Sequence, residues 1–414
     1  MPFCQVIVDI NHTDVDHVFT YRVPTGLDVC PGMRVHVPFG PRKLEGVVVE
    51  MAADCDLPPE RVKDICDTLE DYPAVLPPLL ELAKEIQRTS FCTLAVALRL
   101  MFPAQMRGQR IREKQQEVAV LTVAPDVLGQ VIAAQVRAPK RAKVLRALAD
   151  VPDMELTTAV LRETVGDCRD ALNALCRMGF VKLEKRESLR RPYGEMERLS
   201  AQDPELTRQQ EDVLAELLPA VETGKGEFLL YGVTGSGKTE VFIRAVRRAA
   251  QMGKTAIVLV PEIALTPQMV SWFRSRFGED AAVLHSRLSP GERYDEWRRI
   301  RRGDVRVVIG ARSAIFAPLQ NVGLIIIDEE HEQSYIADNN PHYDARRLAH
   351  ERCAREGAAL LLASATPSMR SFAMAGRGDL RLLEMPRRVN NRPMPTVHVV
   401  DMREELKKGN RSVF

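Results

Sequence analysis

At 414 residues the chain is too long for one hydrophobic core, since domains run to about 100 to 200 residues, and we expect three units. Hydrophobic residues at 45% and charged residues at 28% exclude a disordered or fibrous chain. A net charge of only +2 excludes attraction to nucleic acid through the field of the whole molecule, so any such attraction must come from local clusters.

The opening stretch MPFCQVIVDIN has no basic region and meets Asp9 before an apolar run of secretory length can form, so no signal peptide is expected. No run reaches the roughly 18 apolar residues of a membrane span. Eight cysteines are scattered without one CxxC pair, which fits neither a zinc site nor a dense disulfide framework. Free thiols in a reducing cytoplasm are the expectation.

From Cys4 to about Gln105 the runs CQVIVDI, HVFTYRV, GMRVHVPFG and EGVVVEM, separated by Pro and Gly, predict a small β-rich unit. The stretch PPLLELAKEIQRTSFCTLAVALRLMF predicts a closing helical segment, and Pro103 with the basic RGQRIREK reads as a linker. Between about 118 and 200 the pattern turns helical: KRAKVLRALAD, TTAVLRETV, then CRDALNALCRMGF with Gly179 as its stop. The short alternating VKLEKRESLRR follows. Three short helices and a basic hairpin outline a winged helix, with a small helical spacer as the alternative.

Three basic clusters stand out: Arg107, Arg110, Arg112 and Lys114; Arg137, Lys140, Arg141, Lys143 and Arg146; and Arg298, Arg299, Arg301, Arg302 and Arg306. Each reads either as a nucleic-acid contact or as a solvated helix face.

From about 201 onward apolar runs alternate with helical segments: EFLLYG, TAIVLVP, VRVVIG, GLIIIDEE and ALLLASAT. Continuous Val/Ile/Leu runs indicate strands covered on both faces, hence a parallel α/β sheet with its chemistry at the carboxyl ends of the strands. The expected division is 1–105, 106–200 and 201–414.

Gly232-Val-Thr-Gly-Ser-Gly-Lys238-Thr239 satisfies GxxxxGK[ST] between a strand and a helix. In that context Gly232, Thr234, Gly235, Ser236 and Gly237 turn backbone N–H groups around the phosphates of ATP. Lys238 meets the β and γ phosphates, and Thr239 offers its hydroxyl to Mg²⁺. The acidic end of GLIIIDEE supplies the matching carboxylates. Asp328 is the expected Mg²⁺ partner, and Glu329 the residue that orients and deprotonates the attacking water.

Asp328-Glu329-Glu330-His331 with Ser364-Ala365-Thr366 resembles the DExH and SAT signatures of superfamily 2 helicases. LTRQQ at 206–210 resembles their adenine-reading element, which assigns that role to Gln210. The resemblance narrows to the PriA family, the primosomal N′ helicases of replication restart. It is carried by GVTGSGKTEVF, by VPEIALTPQM at 260–269, by LHSRLSPGER at 284–293 and by IGARSAIFAPLQNVGLIIIDEEHEQSY at 309–335. FTYRVP at 19–24 and PGMRVHVPFG at 31–40 resemble the family's N-terminal domain, which binds the 3′ end of a nascent strand.

The resemblance implies a RecA-like P-loop lobe preceded by a β-rich DNA-binding domain and a winged-helix domain. It implies ATP-driven 3′ to 5′ translocation, with forked and single-stranded DNA, primosome proteins and single-stranded-DNA-binding protein as partners, and no membrane. It marks Phe19, Tyr21, Arg312 and Ser313 as DNA contacts. In the loop after DEEH the family's SYKQ and PRYHARD-like pattern departs to SYIA and PHYDARR, which puts coupling of DNA binding to hydrolysis in doubt. Tyr335, Tyr343 and Arg346 remain as stacking and phosphate candidates, with packing as the alternative for the tyrosines.

The family's second lobe and its paired-cysteine zinc module are expected beyond Phe414, so no zinc ligand is expected in this chain. Because an arginine finger contributes about 10³ to 10⁵ in rate, this chain is expected to bind ATP and hydrolyse it poorly. A shortened, non-catalytic fork-binding module is the competing reading, and a P-loop kinase or transporter ATPase a remote third.

Overall fold

The computed structural model describes residues 2–55, 58, 61–109, 111, 114–190, 204–389 and 399–409. The chain divides into two compact units, one of residues 1–101, 196–286 and 300–414, the other of residues 102–195 and 287–299.

The first unit begins with five antiparallel strands: β1 (Phe3–Val8), β2 (Phe19–Arg22), β3 (Arg34–Phe39), β4 (Arg42–Ala52) and β5 (Asp67–Thr68), in the order β2-β1-β4-β3-β5. Alternation sends Cys4, Val6 and Val8 of β1 to the same buried face as Val35 and Val37 of β3. Two helices follow, α1 (Pro77–Ser90) and α2 (Leu94–Leu98). The sequence predicts one helical stretch here, but Phe91 is left-handed at φ 50° and closes α1. A second helix then starts because Thr93 Oγ1 accepts the Val96 N–H and Asp16 accepts the Leu94 N–H.

The second unit contains β6 (Gln115–Leu121), α3 (Pro125–Ala134), α4 (Pro139–Ala149), β7 (Glu155–Thr157), α5 (Thr158–Val165), α6 (Arg169–Arg177) and β8 (Val181–Glu187). Its three strands pair antiparallel in the order β7-β6-β8, and Leu145, Leu148, Leu161 and Leu175 fill the core beneath them. The helical segments at 139–149, 158–165 and 169–177 fall where the sequence predicts them. Strand β6 and helix α3 were not foreseen.

The helical part of the first unit resumes with α7 (Arg208–Thr223), β9 (Glu227–Gly232), α8 (Lys238–Gln251), β10 (Thr255–Leu259), α9 (Pro267–Phe277) and β11 (Ala281–Leu284). It continues through α10 (Pro290–Arg302), much of which belongs to the second unit, then β12 (Val307–Gly310), β13 (Val322–Ile327), α11 (Ala345–Glu356) and β14 (Ala359–Ser364). It closes with α12 (Met369–Arg377), β15 (Arg381–Met385) and α13 (Met402–Lys407). The seven strands run parallel in the order β11-β12-β10-β13-β14-β9-β15. All residues of β10, β12, β13 and β14 are buried, which is why these segments read as unbroken apolar runs. The fold is therefore the mixed α/β architecture expected, with a parallel sheet of RecA-like helicase type.

The third basic cluster is corrected by its surroundings. Arg298, Arg299 and Arg301 are 2%, 5% and 9% exposed, so they form neither a solvated face nor a surface for DNA. Arg298 pairs with Glu187, Arg299 with Glu296, and Arg301 donates to the Pro73 carbonyl at 2.7 Å while its guanidinium lies over the Tyr72 ring. In the second cluster Lys140, Lys143 and Arg146 of α4 stay exposed, whereas Arg110 and Arg112 of the first lie outside the described residues.

Helices α7 and α11 end against one another. Gly224 closes α7 at φ 68°, and a Cβ there would lie 2.0 Å from the Gly357 carbonyl oxygen at the end of α11. Gly224→Ala meets both a backbone penalty and a main-chain clash, so we expect a loss of about 2 to 4 kcal/mol in urea unfolding. An unchanged midpoint would contradict this packing of the two helix ends.

Candidate functional site

The parallel register decides which side chains can meet. Ile327 of β13 lies beside Leu362 of β14, and Leu362 beside Leu229 of β9, so the three strands expose their carboxyl ends side by side. The glycine loop leaves β9, the acidic segment leaves β13, and Ser364 stands on the strand between them.

Within the loop, Gly235 and Gly237 have φ of 82° and 86°, conformations that side chains with a Cβ rarely adopt. A Cβ at Gly232 would lie 2.9 Å from Ser236 Oγ and 3.1 Å from Lys238 Cγ. Ser236 is 1% exposed and its hydroxyl has no hydrogen-bond partner among the described residues, whereas Thr234 and Gly235 face solvent. Helix α8 starts at Lys238, leaving its first N–H groups open toward the loop. Lys238 Nζ donates to the Gly232 carbonyl at 2.8 Å and lies 3.9 Å from Glu329 Oε1. Thr239 is half-buried in the first turn of α8.

Gln210 is buried, and both ends of its amide are occupied. Its oxygen accepts the Thr207 N–H at 2.8 Å in a capping box at the start of α7, and its nitrogen donates to the Gly237 carbonyl at 3.1 Å. The expected adenine reader is thus also a brace on the loop.

At the acidic strand end, Asp328 Oδ1 accepts the Glu329 N–H at 3.0 Å. Burial, reinforced by the neighbouring Glu329 carboxylate, pushes the Asp328 carboxyl up to about 6, against the opposing pull of Lys238. Glu329 has φ 45°, a strained conformation for a residue with a Cβ, and its side chain is turned toward β14. There Ser364 Oγ donates to Glu329 Oε2 at 3.3 Å, accepts the Thr366 N–H at 2.9 Å and lies 2.8 Å from His331 Nδ1. The DEEH and SAT segments are joined by this serine.

Glu330 carries no role in the sequence reading, yet it is fully buried. Its carboxylate accepts the Ser368 N–H at 2.6 Å, the Ser368 hydroxyl at 3.1 Å and the Ser371 hydroxyl at 2.8 Å at the start of α12. Its backbone N–H donates to the Ala363 carbonyl at 3.0 Å. The spacing Ser368-x-x-Ser371 just ahead of an amphipathic run was the available sequence signal for such a carboxylate partner.

Three of the expected DNA contacts need correction. Tyr335 is 1% exposed, with its hydroxyl 2.6 Å from the Asp328 carbonyl and 3.2 Å from the Leu259 carbonyl, so it ties two strand ends together and cannot stack on a base. Tyr21 is 4% exposed in the N-terminal core, its hydroxyl 3.3 Å from the Pro38 carbonyl, and burial pushes it up to about 12. The Arg346 guanidinium pairs with Asp344 at 2.9 Å and donates to the Glu330 carbonyl at 2.9 Å, so its donors serve the acidic segment rather than a phosphate.

Of the others, Phe19 is half-buried between His17, 4.3 Å between ring centres, and the edge of Phe39 at 5.2 Å. Tyr343 meets Phe316 edge to face at 5.1 Å. Arg312 donates to the Ser334 carbonyl at 3.3 Å and the Ile336 carbonyl at 2.5 Å, bracing the loop after DEEH, and Ser313 is exposed beside it.

The donor set suits Mg²⁺, which keeps several waters and takes one or two protein ligands together with substrate phosphates. Thr239 and Asp328 are the two available. Among the described residues no group of three or more His, Cys, Asp or Glu side chains is positioned to hold a metal by itself. All eight cysteines are free. No helix among the described residues is long and apolar enough to cross a membrane.

The PriA 3′ DNA-binding domain (3′BD) family model matches residues 5–103, and a DEAD/DEAH box helicase model matches residues 207–375. The replication restart protein PriA of Bacillus subtilis (strain 168) is 35% identical over 477 residues, covering 100% of this chain and 59% of its own length. That of Treponema pallidum (strain Nichols) is 50% identical over 183 residues, 44% of this chain and 28% of its own. A solved structure of RecG bound to a three-way DNA junction is 28% identical with a TM-score of 0.35, covering 46% of this chain and 25% of its own. The chain thus spans less than two thirds of the length of the Bacillus relative.

Two measurements check this geometry. The carboxyl of Asp328 binds its proton more tightly in the folded chain than at its ordinary 3.8, so the fold loses stability as pH rises from about 4 to about 6. Asp328→Asn should therefore melt above the parent at about pH 8, by a few degrees, with the gap closing as pH falls through 6 toward 4. An equal gap at both ends would contradict the shift. Tyr335→Phe should cost about 1 to 2 kcal/mol in denaturant unfolding, because the hydroxyl that closes on the Asp328 and Leu259 carbonyls is lost; an unchanged midpoint would contradict its role in tying the two strand ends.

Proposed function

Because the chain belongs to the PriA family of replication restart proteins, with which it aligns from end to end, we propose that it is part of an ATP-dependent DNA helicase. In this reading the helicase moves 3′ to 5′ on single-stranded DNA, recognises stalled forks and begins primosome assembly with partner proteins in the cytoplasm. One observation carries the ATP part: Lys238 and Glu329, which follow strands β9 and β13 on either side of β14, come within 3.9 Å beside the glycine loop.

The backbone N–H groups of Gly235, Gly237, Lys238 and Thr239 cradle the β phosphate, and the buried Ser236 hydroxyl gains a partner there. Lys238 exchanges the Gly232 carbonyl for phosphate oxygens. Thr239 and Asp328 would hold Mg²⁺, whose chemistry there would be to neutralise charge building on the phosphates. Glu329 accepts the proton of the attacking water, its carboxylate aimed by Ser364 and by its own left-handed backbone. Since His331 shares Ser364 with Glu329, a movement of the SAT segment alters the hydrolytic carboxylate directly.

Three features support the DNA part. The aromatic group of His17, Phe19 and Phe39 offers a face for a terminal base, with Phe19 the half-buried anchor. In the helicase portion Arg312 and Ser313 sit at the loop that follows DEEH and are suited to the DNA backbone. The helices and antiparallel strands of the second unit fit a winged helix, whose exposed α4 lysines would add phosphate contacts.

Lys238→Ala should weaken Mg·ATP binding by about a hundredfold or more, as read by fluorescent-nucleotide titration, because the lysine is the loop's point charge on the phosphates. Affinity for a fork carrying a free 3′ end should stay within about twofold. Equal loss of both would break the separation of nucleotide and DNA sites, and unaltered nucleotide binding would remove the ATP reading.

A further inference from the structure

We propose that Arg388 is a second cation for the nucleotide phosphates, carried onto the glycine loop by a strap that follows β15; this rests on the reading of that loop as an ATP site. Strand β15 pairs with β9 as far as Met385 beside Gly232, and the Val233 N–H donates to the Met385 carbonyl at 3.1 Å. The chain then leaves the sheet without leaving the loop. The Val389 N–H donates to the Gly235 carbonyl at 2.9 Å, and the Arg387 N–H donates to Gln209 Oε1 at 3.0 Å. A Cβ built on Gly237 would meet Val389 Cγ2 at 3.0 Å. Residues 386–389 are therefore fastened to the loop through the Gly235 carbonyl, a group that a phosphate does not need, while the Lys238 and Thr239 N–H groups at the start of α8 stay available.

This fastening fixes where Arg388 can reach. Its Cγ and Cδ both lie 3.9 Å from the Cβ position of Gly235, so the stem of the side chain passes beside the glycine loop. Its Nε is buried without a hydrogen-bond partner, and Arg388 makes no ion pair among the described residues. A guanidinium cannot shed its charge, so a buried donor of this kind is costly until an anion meets it. A phosphate does so with a geometry that the planar fork matches. Arg387, one residue earlier, is exposed and offers only its backbone to the strap.

The test uses the whole chain and four probes: Mg·ATP, Mg·ADP, inorganic tripolyphosphate and adenosine, each titrated by calorimetry or by displacement of a fluorescent nucleotide. Arg388→Gln should weaken ATP, ADP and tripolyphosphate by about tenfold or more, as loss of a charged hydrogen-bonding pair does, and leave adenosine unchanged. Arg388→Lys should recover part of the loss, and Arg387→Gln should stay within about twofold of the parent. Two results would overturn the proposal: Arg388→Gln binding all four probes as the parent does, or losing adenosine while keeping tripolyphosphate, which would make the arginine a base contact. A parent chain that binds none of the phosphate probes would instead overturn the ATP reading itself. Should the glutamine variant melt below the parent, Arg388→Lys carries the comparison, and a lysine variant with no recovery of phosphate affinity over glutamine would also count against the proposal.

Discussion

The site exists because three parallel strands end in register. With β13, β14 and β9 adjacent and aligned, the acidic segment, the SAT serine and the glycine loop emerge on one edge, and a lysine and a glutamate 91 residues apart reach 3.9 Å. Buried Glu330 keeps that edge from spreading. It fastens β13 to β14 through Ala363 and to the start of α12 through three donors, while Arg346 holds its carbonyl from α11. Removing that carboxylate would leave the Ser368 N–H and a serine hydroxyl at the start of α12 without their acceptor, and the orientation of Asp328 and Glu329 depends on the same segment.

The same edge is tied to the helix that follows the N-terminal strands. Glu85 of α1, buried, accepts Arg347 of α11 at 2.9 Å together with its own neighbour Arg88, and Ser90 donates to the His342 carbonyl in the loop after DEEH. Arg301 reaches the Pro73 carbonyl from the helicase portion. The loop braced by Arg312 therefore has the acidic segment on one side and the end of α1 on the other. Charged groups buried at such contacts act mainly by fixing geometry, because the cost of desolvating them offsets much of the attraction.

Strands covered on both faces announce themselves as continuous apolar runs, and a glycine loop between strand and helix is nearly as plain, so the sheet and the loop were legible in the sequence. What escaped was legible only in three dimensions. Strand β11, AAVL, is short and rich in alanine; β15, RLLEM, carries charges because it lies at the sheet edge; β6 begins with QQE inside a stretch dominated by helical signals. Tyr335 and Tyr21 look like stacking residues in a one-dimensional reading, since nothing in their neighbours reveals that their hydroxyls close on main-chain carbonyls. Arg346 likewise reads as a free cation until Asp344, two residues earlier, is seen to hold it. Glu330 hid between two residues with familiar roles.

A crystal structure grown with Mg²⁺ and a non-hydrolysable ATP analogue tests the central claim most directly. The account predicts the phosphates inside the loop at 235–239, Lys238 Nζ released from the Gly232 carbonyl onto them, and the metal between Thr239 and Asp328. A loop without nucleotide and a lysine still 2.8 Å from Gly232, at analogue concentrations that saturate ordinary P-loop proteins, would contradict it.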